Sequence, residues 1–261
     1  MLDDVIRLPP GGSYRVLMVG GGAAGIESVL SAHHRLTTLA PGIRFDFTLA
    51  TQGQVLLPGL SARAGSLLRA ALQQRNIAVR TGFSVNQINA VGAIAGDGQL
   101  IVADAILWAT GAKAFAWPRD SGLATDARGF IRIDSMLRSI SHPQVFATGD
   151  CASWETVLPK AGVYAVRMGP VLAQNLRAVI AGSAGTPLQP YAPQRRYLVL
   201  IGTGGRRAVA SWGPFGWQGA WVHAWKRAID RRFLAQYNTR DGVVDAMTGP
   251  PLAPMKKEKN P

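Results

Sequence analysis

Apolar and polar residues alternate along the first third of the chain in a pattern typical of a parallel β/α fold. A short apolar run at Arg15–Val19 predicts a buried strand, and apolar residues at helical spacing follow from Ala23 to Leu39. The next segments predict a strand at Phe45–Leu49, a helix at Ala62–Arg75 and a strand at Ile77–Arg80. This β-α-β-α-β order predicts a doubly wound, Rossmann-like three-layer α/β fold.

The later segments predict smaller elements. An Ala-Gly-Asp-Gly turn at 95–98 lies between strand-like runs at Ser84–Ile94 and Leu100–Leu107, which predicts a hairpin. Further predicted elements are a strand-like run at Val145–Ala147, a helix at Ala161–Ala181 with a bend near Pro170, strands at Tyr197–Ile201 and Ala208–Trp212, and a helix at Trp217–Gln236. We expect residues 1–12 to form a linker and the residues from Gly249 a loose tail.

The composition is that of a globular protein. The chain has 261 residues, of which 48% are hydrophobic, and no run reaches the roughly 18 uncharged apolar residues of a membrane-spanning helix. Its acidic opening, Met1–Asp4, does not resemble a signal peptide. The single cysteine, Cys151, excludes an internal disulfide or a CxxC pair. We therefore expect a cytoplasmic protein.

A glycine-rich loop carries the strongest chemical pattern in the sequence. It consists of Gly20, Gly21, Gly22, Ala23, Ala24 and Gly25 and matches the motif GxGxxG. The loop ends a predicted strand and begins a predicted helix, as a dinucleotide-binding site requires. Gly20 would permit the tight turn, Gly22 the approach of a pyrophosphate, and Gly25 close packing of helix on strand. The alternative is a glycine-rich turn that binds nothing.

The acidic residue that would bind the adenosine ribose is missing from the sequence. An acidic residue is expected at the end of the second strand, but that strand ends Ala50-Thr51-Gln52 and Asp46 comes too early. No arginine lies close in sequence to that end, so the choice between NADH and NADPH stays open.

Four further runs occur in a fixed order. They are Ala109-Thr110-Gly111, Gly129–Asp134, Val145–Asp150 and Pro159–Pro170, the last followed by Asn175-Leu176. Together with Gly20–Glu27 they resemble the two-dinucleotide-binding-domain flavoproteins, the pyridine-nucleotide oxidoreductases. Within these, the chain is most similar to the type II NADH dehydrogenase branch, and to the flavoprotein module that is fused to selenide, water dikinase in some bacteria.

The resemblance implies a domain organisation. Residues 13–108 would form an NAD(P)-binding Rossmann-like domain, 109–194 the C-terminal half of an FAD-binding domain, and 195–261 a small α+β region with a basic amphipathic helix. Members of the family carry a first Rossmann unit that binds the ADP half of FAD, and no such unit precedes the glycine-rich loop. We therefore expect a chain truncated at its N-terminus, a fragment or one piece of a split protein whose partner chain supplies that unit.

The resemblance also assigns roles to residues. Asp150 would bind the ribityl chain of FAD, the helix after Pro159 would point at the isoalloxazine, and Glu27 would lie near the nicotinamide. The remaining expected cofactor-binding residues are Thr110, Gly111, Gly149, Lys160, Ala161 and Gly162. Asp150 could instead be a turn carboxylate, and we interpret Cys151 as a small side chain beside the flavin site. No catalytic residue and no metal site is predicted.

The C-terminal quarter is basic. The net charge is +13, with 16 Lys/Arg against 11 Asp/Glu in residues 1–194 and 12 against 4 in residues 195–261. An aromatic stripe (Trp217, Trp221, Trp225, Ile229 and Phe233) is flanked by Lys226, Arg227, Arg231 and Arg232. Such a helix suits an anionic membrane surface, or it docks on its own domain. Because the charge is confined to one helix and the tail, no nucleic-acid partner is expected.

These observations predict an FAD-dependent NAD(P)H oxidoreductase that transfers hydride to flavin and then electrons to a quinone-like acceptor. It would be cytoplasmic, with peripheral contact to the cytoplasmic face of the inner membrane through residues 217–236. Two alternatives stay open: a nucleotide-binding module without turnover, and an auxiliary redox module of selenium metabolism.

Overall fold

The computed structural model describes residues 2–182 and 187–236. Its first half contains, in chain order, α1 (Leu2–Ile6), β1 (Ser13–Val19), α2 (Ala23–Leu39), β2 (Arg44–Ala50), α3 (Ala62–Gln73), β3 (Ala78–Arg80), β4 (Val85–Ile88), β5 (Gly92–Ala95), β6 (Leu100–Val102) and β7 (Ala105–Trp108). A parallel sheet in the order β3-β2-β1-β7 forms the centre of this half. The α/β fold predicted from the sequence is therefore confirmed.

Both faces of the parallel sheet are covered. On one face, Val16 and Met18 of β1 pack with Ile26 and Leu30 of α2 and with α3 in the main core. On the other face, Leu17 packs with residues of the antiparallel sheet β4-β5-β6. Alternate residues of β1 thus enter two different cores, as the period of two in a strand requires.

The second half contains α4 (Trp117–Asp120), β8 (Ile131–Arg132), a 3₁₀ turn at Gly149–Cys151, β9 (Ala152–Ser153), α5 (Gly162–Ile180), β10 (Val199–Gly202), β11 (Ala208–Trp212), β12 (Phe215–Gly219) and α6 (Ala220–Ala235). A separate core, which includes Ile133, Leu137 and Ala147, packs against Tyr164 and Met168 of α5.

The C-terminal strands form an antiparallel sheet in the order β10-β11-β12. One face of it holds α6 through the buried residues Ala208, Ala210 and Val222. The other face contributes Ile201 and Val209 to the main core beside α2 and α3. Helix α6 therefore lies on the outer face of a sheet whose inner face packs against α2 and α3.

Several predicted boundaries were wrong. Residues 1–12 are not only a linker, because α1 buries Val5 in the main core. The run Val145–Ala147 forms only an isolated bridge between Arg138 and Phe146, since no strand among the described residues lies alongside it. The predicted final helix begins late, at Ala220, because Phe215–Gly219 pairs with β11 as a strand.

The predicted hairpin has its turn in the right place, but both of its predicted strands are too long. The first arm is two strands, because the Asn89 side chain accepts hydrogen bonds from the backbone of Val91 and Gly92 and closes a turn. The second arm breaks before β7, which leaves the small sheet and joins β1. Helix α5 continues through Pro170 as predicted. The tail from Gly249 lies outside the described residues.

In the part of the chain that the structure describes, no helix is both long and apolar enough to cross a bilayer.

Candidate functional site

The glycine-rich loop lies at the carboxyl end of β1, between that strand and α2. Gly20 has a φ of +131°, which L side chains rarely adopt, and a Cβ there would overlap the carbonyl of Ala109. Its N–H donates to the carbonyl oxygen of Ala50 at 2.8 Å. Gly20 therefore makes the tight turn that the sequence predicts, wedged between the ends of β2 and β7.

Gly22 borders open space. Its backbone is extended, and a Cβ placed on it would meet nothing within 4 Å. Gly22 is also the N-cap of α2, and no side chain caps that helix end. Unused helix N–H groups next to open space can hold the phosphates of a dinucleotide. The residues present thus fit the predicted pyrophosphate site.

Two other segments line this loop. The N–H of Leu57, in the loop after β2, donates to the carbonyl oxygen of Gly21 at 3.1 Å. On the opposite side, Ala109 donates to Val19 at 2.8 Å, and the chain continues to Thr110 and Gly111. The Thr110 hydroxyl accepts a hydrogen bond from the Trp108 indole at 2.8 Å. The structure therefore brings Thr110 and Gly111 to the same sheet edge as Gly20–Gly25.

Glu27 faces the C-terminal region. Its carboxylate lies 3.3 Å from the Lys226 ammonium on α6, and Lys226 also pairs with Asp230 at 3.1 Å. Burial disfavours charge on Lys226, but the hydrogen bond to Asp230 and the charge of Glu27 outweigh it and raise the pKa of Lys226. The partner that the structure gives Glu27 is thus a lysine, and its contact with nicotinamide stays a prediction.

A second group of predicted residues surrounds a cavity of about 70 Å³ beside the amino end of α5. Gly149, Asp150, Lys160, Tyr164 and Met168 are among its lining residues. Gly149 adopts a left-handed φ of +64°, and a Cβ there would lie 2.9 Å from that of Ala165. Glycine at this position lets the Gly149–Cys151 turn lie directly against the helix.

Lys160 is the central cation of this cavity. Its ammonium donates to the carbonyl of Ala152 at 2.6 Å and lies 3.8 Å from the centre of the Phe130 ring. Burial lowers the pKa of Lys160, although the carboxylates of Asp126 and Asp150 oppose the shift. A partly desolvated cation next to a carboxylate pair offers both donors and acceptors to a hydroxyl-rich ligand.

Asp126 was not predicted as a site residue. Burial opposes its charge, but hydrogen bonds from Ser153 and from the backbone N–H groups of Phe130 and Arg128 outweigh it and lower the pKa of Asp126. The sequence carries one clue, since an Asp two residues before Arg-Gly is typical of a turn that its own side chain closes. Nothing in the sequence alone connects that turn to Lys160.

The amino end of α5 is open in the same way as that of α2. Ala161 is its N-cap, Gly162 is its first residue, and no side chain caps it. Asp150 is exposed beside the cavity. These residues fit the ribityl and ring side of a flavin, but 70 Å³ holds about two water molecules. The cavity by itself is therefore too small for a flavin, and the flavin-binding role of these residues stays a prediction.

The cysteine and a possible metal site are the remaining candidates. The exposed thiol of Cys151 donates to the carbonyl of Thr148 at 3.1 Å. Over residues 2–182 and 187–236, no three His, Cys, Asp or Glu side chains come together as a metal site.

Comparisons with known proteins were made against this geometry. The family model of the pyridine nucleotide-disulphide oxidoreductases matches residues 3–175. The chain is similar to an NADH dehydrogenase-like protein of Mycobacterium tuberculosis, with 28% identity over 141 residues, which cover 53% of this chain and 35% of the relative. It is also similar to the type II NADH:quinone oxidoreductase of Haemophilus influenzae, with 26% identity over 196 residues, 68% of this chain and 44% of that one.

The alignments thus span less than half the length of each of these two relatives. Among solved structures, the fold is similar to NDH2 from Plasmodium falciparum in complex with NADH, with a TM-score of 0.70 and 12% identity over 85% of this chain and 62% of that chain.

Proposed function

The chain belongs to the pyridine nucleotide-disulphide oxidoreductase family, and we propose that it forms part of an FAD-dependent NAD(P)H oxidoreductase. The observation that carries the proposal is the open space at Gly22, next to the uncapped amino end of α2. A dinucleotide held there would receive hydrogen bonds from helix N–H groups and the positive end of the helix dipole.

In this proposal the first site binds and orients the nicotinamide nucleotide. The turn at Gly20 and the close packing at Gly25 set the distance between β1 and α2, and Gly22 leaves room for the pyrophosphate. Thr110 and Gly111, at the same sheet edge, border the nucleotide on the β7 side. No side-chain acid or base is required for hydride transfer, so these residues act by positioning.

The second site would hold the flavin. Asp150 would accept hydrogen bonds from ribityl hydroxyl groups, and the N-terminus of α5 at Ala161 and Gly162 would stabilise negative charge on the ring. Lys160 would add a partly buried positive charge beside Asp150. A flavin held there would supply a two-electron acceptor for the nicotinamide hydride, and we propose that the further electron acceptor is quinone-like.

A flavin site formed by 109–182 would need a second unit to complete it. Large apolar side chains are highly exposed in this region, with Val157 84%, Ile180 83% and Phe115 77% exposed. Exposed apolar surface of this kind favours coverage by another protein surface. We therefore include in the proposal a further FAD-binding unit, on the same polypeptide or on a partner chain.

The aromatic surface of β12 and α6 would contact a membrane. Trp221 and Trp225 stack at 6.3 Å and are 56% and 41% exposed, and Phe215 stacks on Trp217 at 5.9 Å. Among the described residues, the aromatic stripe is thus not buried by docking on its own domain. With Arg227, Arg231 and Arg232 nearby, it suits the interface of an anionic bilayer on its cytoplasmic side.

Sedimentation with vesicles tests this contact. The full chain is expected to sediment with phosphatidylglycerol vesicles and much less with phosphatidylcholine vesicles. The double variant Trp221→Ala/Trp225→Ala is expected to lose the binding, and Trp117→Ala, which removes another exposed tryptophan on α4, is expected to keep it. Equal sedimentation of both variants would contradict a role for α6.

The oxidoreductase proposal is tested by the visible absorption of the purified chain with added FAD, before and after anaerobic addition of NADH or NADPH. Retained flavin absorption that is bleached by either nucleotide supports the proposal for this polypeptide. Retained absorption that neither nucleotide changes contradicts it. Nucleotide binding without flavin retention is the result expected both of a chain that needs the further FAD-binding unit and of the alternative, a nucleotide-binding module without turnover.

A further inference from the structure

Arg80 lies at the sheet edge where the adenosine end of a Rossmann-bound nucleotide is expected. It is the last residue of β3, and its Cα pairs in register with Ala50, the last residue of β2. The N–H of Thr51 donates to the carbonyl of Arg80 at 2.9 Å. In Rossmann folds the ribose that carries the 2′ position is bound at the end of the second strand. The structure therefore brings Arg80, 30 positions away in sequence, directly beside that end.

The turn after β3 is joined to the loop after β2. The N–H of Gly82 donates to the carbonyl of Gly53 at 3.1 Å, and that of Phe83 donates to the carbonyl of Thr51 at 2.9 Å. Gly82 has a left-handed φ of +68°, and a Cβ there would lie 3.2 Å from the amide nitrogen of Gln54. These contacts hold the two loops in one arrangement, so Arg80 and the end of β2 form a single surface.

Arg80 and the turn that follows it line a cavity of about 210 Å³, together with Gln99 from the turn before β6. Its lining includes Arg80, Thr81, Gly82 and Gln99. A guanidinium and a hydroxyl beside an open cavity suit a phosphate better than a neutral hydroxyl.

Carboxylates that would favour an unphosphorylated ribose are engaged elsewhere. Asp46 lies 3.5 Å from Arg44, toward the amino end of β2. Asp97, near the cavity, accepts hydrogen bonds from the backbone and the side-chain amide of Gln99. Within the ranges that the structure describes, no carboxylate forms an ion pair with Arg80, and Arg80 is exposed.

We infer that Arg80 binds the 2′-phosphate of NADPH and makes NADPH the preferred nucleotide of this chain. This inference rests on the proposed nucleotide site at Gly20–Gly25 and adds the discrimination between the two nucleotides. The end of β2 contributes no carboxylate that would repel the phosphate, and Arg80 contributes the charge that attracts it.

Calorimetric titration of the full chain tests the inference. The wild type is expected to bind NADPH about tenfold tighter than NADH, and 2′,5′-ADP tighter than 5′-ADP, because a charge-assisted contact to phosphate is worth roughly one decade of affinity. Arg80→Ala is expected to lose about tenfold in affinity for NADPH and 2′,5′-ADP and to keep its affinity for NADH. Arg44→Ala, which removes the same charge at the other end of β2, is expected to change neither.

The outcomes separate this inference from the proposed function. Binding of NADH and NADPH with equal affinity, or an equal loss for both in Arg80→Ala, overturns the role of Arg80 and leaves the nucleotide site standing. Failure of the wild type to bind either nucleotide overturns the nucleotide site, and the role of Arg80 with it.

Discussion

The carbonyl oxygen of Gly20 occupies the place where a Cβ atom on Gly25 would have to lie. Gly20 ends the turn after β1 and Gly25 lies in the first turn of α2, so this contact sets how closely the helix approaches the strand. Neither Gly20 nor Gly25 can move away easily, because the contact is between backbone atoms and Gly25 is buried. The loop that would bind the nucleotide is thus held by the packing of the fold itself.

Replacement of Gly25 by alanine should therefore destabilise the protein. Overpacking of a rigid contact costs about 1–3 kcal/mol, and the expected gain in helix propensity of about 1 kcal/mol offsets only part of it. Urea unfolding of Gly25→Ala against the wild type measures the difference. Gly42→Ala is the control, since a Cβ at that position meets nothing within 4 Å. Equal stability of Gly25→Ala and Gly42→Ala would show that the strand and helix can separate without cost.

His33 makes stability depend on pH. Its ring packs against Phe47 with centroids 5.1 Å apart, and burial, together with the charge of Arg75, lowers the pKa of His33 below 6.5. The unfolded chain therefore binds a proton more readily than the folded chain. The stability from neutral His33 is present in full above pH 6.5 and is lost as the pH falls through the lower, folded pKa.

Urea unfolding at pH 7.5 and pH 5.5 tests this prediction. The loss of stability between the two conditions should be smaller in His33→Phe than in the wild type, and His34→Gln, at an exposed neighbouring position, should retain the wild-type loss. A His33→Phe variant with the full wild-type loss would contradict the account.

The ion pair of Glu27 and Lys226 joins α2 to α6, and its coupling should be small. Both side chains keep some solvent exposure, 33% for Glu27 and 21% for Lys226, so a coupling energy of about 0.2–1 kcal/mol is expected. A double-mutant cycle with Glu27→Gln and Lys226→Met measures it. Asp230→Asn, which removes the other partner of Lys226, should leave most of the Glu27 coupling in place. Zero coupling in the cycle would show that the two helices are held together by packing alone.

Asp150 should matter for flavin and not for stability. It is exposed at the cavity rim, so Asp150→Ala should unfold at the same urea concentration as the wild type but bind FAD about tenfold more weakly. Fluorescence titration with FAD measures the affinity, and Asp120→Ala, an exposed aspartate on α4, is the control. Unchanged FAD affinity in Asp150→Ala would favour the alternative, in which this carboxylate only closes a turn.

The sequence predicted the parallel sheet because each of its elements carries a local pattern. Strand β1 is a short, largely apolar run, β2 has Phe45, Phe47 and Leu49 at alternate positions, and α2 and α3 have apolar residues at helical spacing. The glycine-rich loop was also predicted from a local pattern. Its tight turn, the close packing of helix on strand and the space for a pyrophosphate each require glycine at a fixed position.

Features that depend on distant partners were missed. Trp217, within Phe215–Gly219, continues the four-residue spacing of the aromatic residues in the following helix, and only the pairing of this segment with β11 makes it a strand. Asp126 reaches Lys160, and Arg80 reaches the end of β2, through contacts between segments 30 or more positions apart. Hydrophobic periodicity cannot report such contacts, because it describes only neighbours along the chain.

The most direct test of the central claim is nucleotide binding by Gly22→Val, measured by calorimetry with NADPH and NADH. Gly22 has extended backbone angles that valine adopts and no neighbour within 4 Å of its Cβ, so the variant should fold, with a loss of only about 1 kcal/mol because valine is a poorer N-cap residue than glycine. The side chain would fill the space left for the pyrophosphate, and we predict loss of both nucleotides, while the matched Gly42→Val variant binds as the wild type does. Undiminished binding by a folded Gly22→Val would contradict a dinucleotide site at Gly20–Gly25.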